Sequence, residues 1–143
     1  MARTWIVVAE SSRARIFQTR EAGQAFEELA DFVHPNSRLK GHELLSDSPG
    51  RAFDSKGQGR HAMSQATDVR RHEAEVFANE LADKLEAGRN RHAFDSLILV
   101  APPEFLGLIR AAISPETAAL LQATVNKNMI RMKPDEIRNQ LKT

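Results

Sequence analysis

A polar stretch at residues 46–63, SDSPGRAFDSKGQGRHAM, holds the residues of this sequence that are best suited to binding chemistry. Its glycines, among them Gly57 and Gly59, permit backbone conformations in which successive N–H groups point the same way and hold an anion. Gln58 lies between these two glycines. A helical pattern begins just after them, and the positive end of that helix would also attract an anion. The basic side chains of the stretch are Arg51, Lys56, Arg60 and His61. The pattern predicts a site for a phosphate-bearing ligand.

The neighbourhood of this stretch is basic, although the whole chain is not. The chain has a formal net charge of +1, which by itself does not indicate a nucleic-acid binder. Residues 38–71 contain seven lysines and arginines against four acidic residues. An excess of this size fits either an anion-binding loop or a solvated polar loop. Phe53 either fastens the loop to the core or stacks on a base, and both roles go beyond those of a purely solvated loop.

Most enzyme signatures are missing from the sequence. There is no cysteine, so a thiol nucleophile and disulfide bonds are excluded. His72-Glu73 is not followed by the second histidine of a zinc-binding helix, and neither a phosphate-binding Walker loop nor a Gly-x-Ser-x-Gly elbow occurs. The sequence therefore assigns no catalytic residue, no metal ligand and no cofactor, and it favours a binding protein over an enzyme.

The chain length of 143 residues fits one domain, residues 1–143, with a core large enough to need no covalent staple. The first apolar run, residues 5–9, is far shorter than a signal-peptide core or a membrane span. We therefore expect a cytoplasmic protein without a membrane span. The sequence does not predict an oligomeric state.

The first third of the chain predicts three strands. Residues 4–9 (TWIVVA) form an unbroken β-branched and aromatic run that is typical of a strand buried on both faces. Residues 13–19 follow after a short turn and predict a hairpin partner. Residues 25–33 fit either state, since Phe26, Leu29 and Val33 have helical spacing, but we expect a third strand because the His-Pro step that follows them disfavours a helix. A long basic, glycine-rich loop is expected at about residues 35–61.

The rest of the chain predicts alternating helices and strands. Residues 62–87 form the clearest helix, with one apolar face and Gly88 as the expected stop. Arg70 also falls on that face, where it either extends to solvent, pairs with a carboxylate or anchors the preceding loop. Further elements are expected as a strand at 94–101, helices at 104–113 and 115–123, a short strand at 124–130 and a helix at 134–141.

This order of elements predicts an α/β fold. Three meandering strands followed by right-handed crossovers give a mixed five-stranded sheet with helices on both faces. The result is a three-layer domain of the ribonuclease-H-like kind. Nucleases with that fold hold paired divalent cations between converging carboxylates. Glu10 and Glu104, which lie at strand ends, would have to approach each other for such chemistry.

Four blocks of the sequence resemble the bacterial family described as proteins required for attachment to host cells. The blocks are WIVVAESSRARIF, HPNSRL, SDSPGRAFDSKGQGRHA and FDSLILVAPPEFLGLIR. The likeness covers nearly the whole chain. It implies a role in host attachment but no particular chemistry.

A more distant resemblance is to the central domain of archaeal and eukaryotic peptide-chain release factors. That domain is similar in element order and carries a Gly-Gly-Gln loop just before a long helix. Here Gln58 has a glycine on each side, whereas the release-factor pattern has both glycines before the glutamine. The resemblance implies a basic loop that enters an RNA cavity, rather than hydrolysis of peptidyl-tRNA.

Three functional hypotheses follow from the sequence. The first is an RNA-binding or ribosome-associated module, in which Arg51, Lys56 and Arg60 contact phosphates and Gln58 projects from the loop tip. The second is a regulatory protein in host attachment that binds a protein partner, without nucleic acid. The third is a metal-dependent phosphoester hydrolase built on Glu10 and Glu104.

Overall fold

The computed structural model describes residues 2–20, 24–34 and 58–141, with side chains from residue 67 onward in the last of these ranges. The described strands are β1 (Thr4–Glu10), β2 (Arg13–Thr19), β3 (Glu27–Val33), β4 (Ser96–Val100) and β5 (Leu121–Val125). The described helices are α1 (Gln58–Asn90), α2 (Pro103–Ala112), α3 (Pro115–Ala118) and α4 (Pro134–Leu141).

The five strands form one mixed sheet in the order β3-β2-β1-β4-β5. Strand β1 pairs antiparallel with β2 and parallel with β4, while β2–β3 is antiparallel and β4–β5 is parallel. The central position of β1 explains its sequence, because a strand with neighbours on both sides and helices on both faces is apolar at every position. The predicted mixed five-stranded sheet is confirmed.

Successive residues of β1 alternate between two hydrophobic clusters. Trp5, Val7 and Ala9 face a cluster that contains the buried side chains of α1 and α2. Ile6 and Val8 face a second cluster that contains Ile137 of α4 and residues of the connection that precedes α4. Because strand side chains point alternately to opposite faces, each cluster covers one side of the sheet. The predicted three-layer α/β arrangement is therefore confirmed.

Helix α1 has 33 residues and begins at Gln58, four residues before the expected start. Once a helix has formed, each added residue gains a hydrogen bond, which offsets the low helix propensity of Gly59. Residues 58–61 therefore form its first turn, while residues 35–57 of the predicted loop lie outside the described residues. In the described part of the chain, no helix combines sufficient length with an apolar enough sequence to cross a membrane.

Helix α1 also continues past Gly88, which is not its stop. A Cβ atom at Gly88 would lie 2.7 Å from Cη2 and 2.8 Å from Cζ3 of Trp5, so the glycine makes room for the indole ring. The helix ends at Asn90, and two residues later His92 has a φ of 56°, while the N–H groups of Ala93 and His92 donate to the carbonyls of Gly88 and Arg89. These two bonds define a Schellman motif. Packing therefore explains this glycine better than helix termination does.

We expect Gly88→Ala to destabilise the protein by about 1–3 kcal/mol, because Trp5 is buried and its ring cannot move aside without repacking the core. The matched control is Gly107→Ala in α2, where a Cβ atom would meet nothing within 4 Å. That change removes a helical glycine without a clash and should stabilise the protein by about 1 kcal/mol. Urea unfolding of both variants measures the difference, and equal effects of the two substitutions would contradict the packing role of Gly88.

The carboxyl-terminal half of α1 is fastened to the short helix α3. Arg89, Thr117 and Ser114 all donate hydrogen bonds to the Glu86 carboxylate, with 2.6 Å from Thr117 Oγ1 and 2.8 Å from Ser114 Oγ. The Arg89 guanidinium, followed by the two hydroxyls, lowers the pKa of Glu86 to about 2. Glu86 therefore stays ionised near neutral pH. Ser114 also caps α3 by accepting from the Thr117 N–H.

The region after Ser114 departs from the sequence expectation. The expected helix over 115–123 ends at Ala118, and the expected strand over 124–130 is β5, which starts at Leu121. Leu121 pairs with Leu97 of β4, and Val125 pairs with Val100. Parallel pairing with β4 satisfies backbone groups at this sheet edge, so it outweighs the helical tendency of the TAALLQA segment.

Candidate functional site

A cleft of about 400 Å³ opens beside the carboxyl ends of the parallel strands β1 and β4. Open α/β sheets bind ligands outside the carboxyl ends of their strands, at the point where the following connections diverge. Here β1 continues into the antiparallel strand β2, whereas β4 continues into helix α2. The lining residues come from four parts of the chain: Glu10, Ser11, Thr67, Arg70, Arg71, Ala74, Pro102, Glu104, Phe105, Leu108 and Asn128.

The β1 side of the cleft ends in Glu10 and Ser11. Glu10 is the last residue of β1, and in the backbone register of the hairpin it lies opposite Arg13, across the tight turn into β2. The hydroxyl of the buried Ser12 donates a hydrogen bond to Glu10 Oε1. The turn and this hydrogen bond fix the carboxylate at the strand end, where its second oxygen receives no hydrogen bond from a described group.

Helix α1 supplies the cationic wall of the cleft. Ala74 and Phe77 are buried against the sheet, and the preceding turns bring Arg70 and Arg71 to the cleft, both exposed. Arg71 Nε lies 3.6 Å from Glu75, with both side chains at least half exposed, so this pair is weak. Arg70 makes no ion pair with any residue in the described ranges. The Arg70 side chain is exposed, as expected if it extends to solvent, while its role in anchoring the preceding loop involves residues outside the described ranges and stays a prediction.

The β4–α2 connection forms the apolar wall. Pro102 precedes α2, and its carbonyl accepts from the Leu106 N–H at 2.8 Å. This bond starts the helix and places Leu108 beside the cleft, with buried Phe105 beneath it. Glu104 stands exposed in the first helical turn, where a carboxylate complements the positive end of the helix.

The connection between β5 and α4 contributes Asn128. Its Oδ1 accepts a hydrogen bond from the Ile130 N–H at 3.1 Å, which leaves the amide NH₂ as a donor. The same connection is held by Arg15 of β2, whose guanidinium donates to the carbonyls of Ile130 and Met132 at 3.0 and 2.7 Å. A buried arginine on the far side of the sheet therefore fixes the segment that carries Asn128.

The two carboxylates considered for metal chemistry, Glu10 and Glu104, do line the same cleft. Within the residues that the structure describes, however, no group of three or more histidine, aspartate or glutamate side chains could hold a metal ion. Two arginines share the cleft with the carboxylates. This mixture of charges resembles a binding site for a polar organic ligand more than a paired-cation centre.

The residues predicted for anion binding fall at and before the start of α1. Arg51, Phe53, Lys56 and Gly57 lie outside the described residues. The other four, Gln58, Gly59, Arg60 and His61, belong to the first turn of the helix, and nothing is described of their side chains. Gln58 was expected at the tip of a loop; its backbone is helical instead. The role of all eight residues in binding stays a prediction.

Sequence reasoning did not select Ser11, Thr67, Arg71 or Asn128, all of which line the cleft. These residues are spread over three segments, and their types occur on any protein surface. The useful signal was topological: polar residues just after two parallel strands meet at the carboxyl edge of the sheet. Asn128 carries no such signal, because it follows β5 by three residues and reaches the cleft only through the tertiary fold.

His34 fixes the end of β3 against α1. Its Nε2 lies 2.7 Å from Glu73 Oε1, its Nδ1 lies 3.6 Å from Glu80 Oε1, and its ring stacks on Phe77 at a centroid distance of 5.4 Å. The His34 N–H also donates to the Ser12 carbonyl at 2.8 Å. The last described residue before the basic segment is therefore held beside the helix that follows this segment.

The fold and cleft define the class: a three-layer α/β domain with an open cleft of mixed charge at the carboxyl edge of its parallel strands. The chain belongs to the family described as "Protein required for attachment to host cells", whose model matches residues 5–141. The resemblance seen in the sequence is thereby confirmed. No curated protein matches the chain significantly.

Among solved structures, the chain is similar to an archaeal translation termination factor. The match has a TM-score of 0.52 and 10% sequence identity, and it covers 98% of this chain and 36% of that one. The chain thus spans about a third of the length of that factor. At this identity the likeness concerns the fold, and it confirms the predicted relation to a release-factor domain at that level.

Proposed function

We propose that this chain is an RNA-binding domain, acting on structured RNA or the ribosome, whose working surface combines the segment 51–61 with the exposed side of α1. The observation that carries the proposal is the course of α1. The helix starts at Gln58, directly after the basic segment, and runs to the cleft, where Arg70 and Arg71 are exposed. One rigid element thus connects the predicted phosphate contacts with two further cations.

Helical spacing supports a continuous cationic track. Arg60 lies eleven residues before Arg71, which is close to three turns of an α-helix. Residues at such spacings share one side of a helix. Phosphates in RNA repeat along the strand, so arginines three turns apart on one side of a helix suit a backbone that follows the helix.

The carboxylates of the cleft limit where the RNA backbone runs. Glu10 and Glu104 repel phosphates, so the backbone is expected on the α1 side of the cleft, beside Arg70 and Arg71. The fold shared with an archaeal translation termination factor supports a partner in the translation apparatus. The cytoplasmic location predicted from the sequence is consistent with such a partner and stays a prediction.

The test is a variant in which Arg51, Lys56 and Arg60 are all replaced by alanine. We expect its affinity for ribosomes or a structured RNA to fall at least tenfold at about 100 mM salt. We also expect the slope of log K against log salt to decrease by about 2, since each lost contact with single-stranded phosphate removes about 0.7. Filter binding over a salt series measures both quantities.

The matched control replaces three exposed cations elsewhere, Arg20, Arg110 and Lys133, by alanine. It changes the net charge equally, so it removes the same long-range attraction but none of the proposed contacts. If the two triple variants bind RNA with the same affinity and salt slope, the proposal is wrong.

A second candidate function is binding of a protein partner. Strand β3 lies at the edge of the sheet and exposes Leu29 and Val33, which are 42% and 45% exposed. An open edge with apolar side chains can accept a strand from another protein. Copurification from cells distinguishes the two functions: ribosomal RNA supports the first, and an envelope or signalling protein supports the second.

A further inference from the structure

We infer that the cleft at the carboxyl edge of β1 and β4 is a pocket for one nucleoside monophosphate, either free or as a unit of an RNA chain. The inference goes beyond RNA binding by the segment 51–61, and it uses only residues that the structure describes. Its basis is the distribution of three kinds of surface inside one cleft of about 400 Å³, a volume in the usual range for small-ligand sites.

The α1 wall takes an anion. Arg70 and Arg71 are exposed there, and the one described ion pair involving either of them is the long contact between Arg71 and Glu75. Guanidinium groups present several N–H donors in a plane that matches phosphate oxygens. Two such groups on adjacent residues, with little competition from carboxylates of their own helix, suit a phosphate monoester.

The end of β1 and the first turn of α2 take hydrogen-bond donors. The hydrogen bond from Ser12 to Glu10 uses Oε1, and Glu104 is exposed. Carboxylates accept bonds from the N–H groups of a base or the hydroxyls of a ribose. Guanine fits best, because its ring N–H and exocyclic amino group are adjacent and match the two oxygens of one carboxylate. The Asn128 amide supplies a donor for a base or sugar acceptor.

Part of the cleft lining is apolar. Pro102 and Leu108 line this part, with Ala74 on the α1 side. An inorganic anion or a simple sugar phosphate would leave that apolar surface exposed to water, whereas the flat face of a base covers it. These three kinds of surface match the three parts of a nucleotide. The arginines bind its phosphate, the apolar strip covers the face of its ring, and the acceptors bind the polar edge of its base.

The direct test is calorimetric titration of the full chain with GMP, guanosine, UMP and inorganic phosphate. We expect GMP to bind at least tenfold more tightly than guanosine or phosphate, and more tightly than UMP, which offers a single ring N–H. Equal binding of GMP and inorganic phosphate would reduce the cleft to a plain anion site and overturn the inference. Equal binding of GMP and guanosine would overturn the role of the arginines.

Variants assign the contacts. Arg70→Ala and Arg71→Ala should each weaken GMP binding at least fivefold and leave guanosine binding unchanged. Asn128→Asp keeps the oxygen that accepts from Ile130 and removes the NH₂ donor, while Glu10→Gln keeps an oxygen for the Ser12 hydroxyl. Both should weaken GMP binding at least threefold. Arg110→Ala, an exposed arginine of α2 outside the cleft, is the control and should have no effect.

A second set of titrations separates the two sources of the nucleotide. A short RNA is bound in the presence of increasing GMP: competition assigns the cleft to a unit of the RNA chain, whereas independent binding assigns it to the free nucleotide. If GMP does not bind at millimolar concentration and Arg70→Ala or Asn128→Asp leaves RNA affinity unchanged, the inference fails. If GMP binds but the triple variant of the segment 51–61 retains full RNA affinity, the inference stands and the proposed function fails.

Discussion

Replacing Arg15 by methionine is expected to lower the free energy of unfolding by about 3 kcal/mol, although methionine fits a buried strand position well. Arg15 is 8% exposed, and each of its three guanidinium nitrogens donates at least one hydrogen bond. Nε and Nη2 donate to the two carboxylate oxygens of Glu28 at 3.0 and 3.1 Å, and Nη1 donates to the carbonyls of Ile130 and Met132. Methionine leaves the buried carbonyl of Ile130 and the half-buried carbonyl of Met132 without their donor, and these unsatisfied groups are the main cost.

The control for this prediction is Arg13→Met, two residues earlier on the same strand. Arg13 forms a similar two-bond pair with Asp31, at 2.9 and 2.7 Å, but both side chains are about a third exposed or more. The Arg13 guanidinium lowers the pKa of Asp31, yet water screens this pair, so we expect a loss below about 1 kcal/mol. Guanidinium chloride unfolding compares the two variants. Similar losses would show that burial does not determine the contribution of Arg15.

Arg15→Met also tests how the cleft is supported. The connection that carries Asn128 is held by Arg15 on the α4 face of the sheet, opposite the face that α1 and α2 cover. Amide hydrogen exchange should therefore increase at residues 128–132 in Arg15→Met and stay unchanged in Arg13→Met. Unchanged exchange in both variants would mean that packing of Met129 and Ile130 alone holds this connection.

Phe77→Ala is expected to destabilise the protein by about 3–5 kcal/mol. Phe77 is fully buried at the centre of an aromatic cluster, with ring centroids 5.7 Å from Phe32, 5.4 Å from His34 and 5.9 Å from Phe105. Truncation opens a cavity where α1, α2 and β3 meet, and the backbone of a long helix cannot collapse to fill it. Thermal and urea unfolding measure the loss.

Two further variants define the cause of the Phe77 effect. Phe77→Leu retains most of the buried volume and should cost much less than the alanine change. Leu29→Ala, at an exposed position of β3, should change stability by less than about 0.5 kcal/mol. If Phe77→Ala were tolerated as well as Leu29→Ala, the aromatic cluster would not be the element that seats α1 on the sheet. The position of Arg70 and Arg71 would then need another explanation.

Much of the fold followed from local patterns. The run TWIVVA predicted a strand buried on both faces, and β1 is the central strand. The helical spacing of Phe77, Leu81 and Leu85 predicted the apolar face of α1, and all three residues are fully buried. Periodicity is informative here because each element buries one defined face, and burial of that face is what selects the sequence.

The predictions for Gly88 and for residues 119–123 were wrong for the same reason. Gly88 was read as a helix stop, but it makes room for Trp5, which lies more than eighty residues earlier in the chain. The segment 119–123 was read as helix, but pairing with β4 turns its second half into strand. In both cases a contact between distant residues outweighed a local preference of about 1 kcal/mol or less.

The sequence by itself determined the class of fold, the family and the basic, glycine-rich character of the segment before α1, because composition and periodicity are properties of neighbouring residues. Only the tertiary structure decided that Glu10, Arg70, Arg71, Glu104 and Asn128 share one cleft. It likewise decided that Arg15 supports this cleft from the other side of the sheet. The physical reason is that the meeting of strand ends, helix faces and connections depends on the register and order of the sheet, which no single segment encodes.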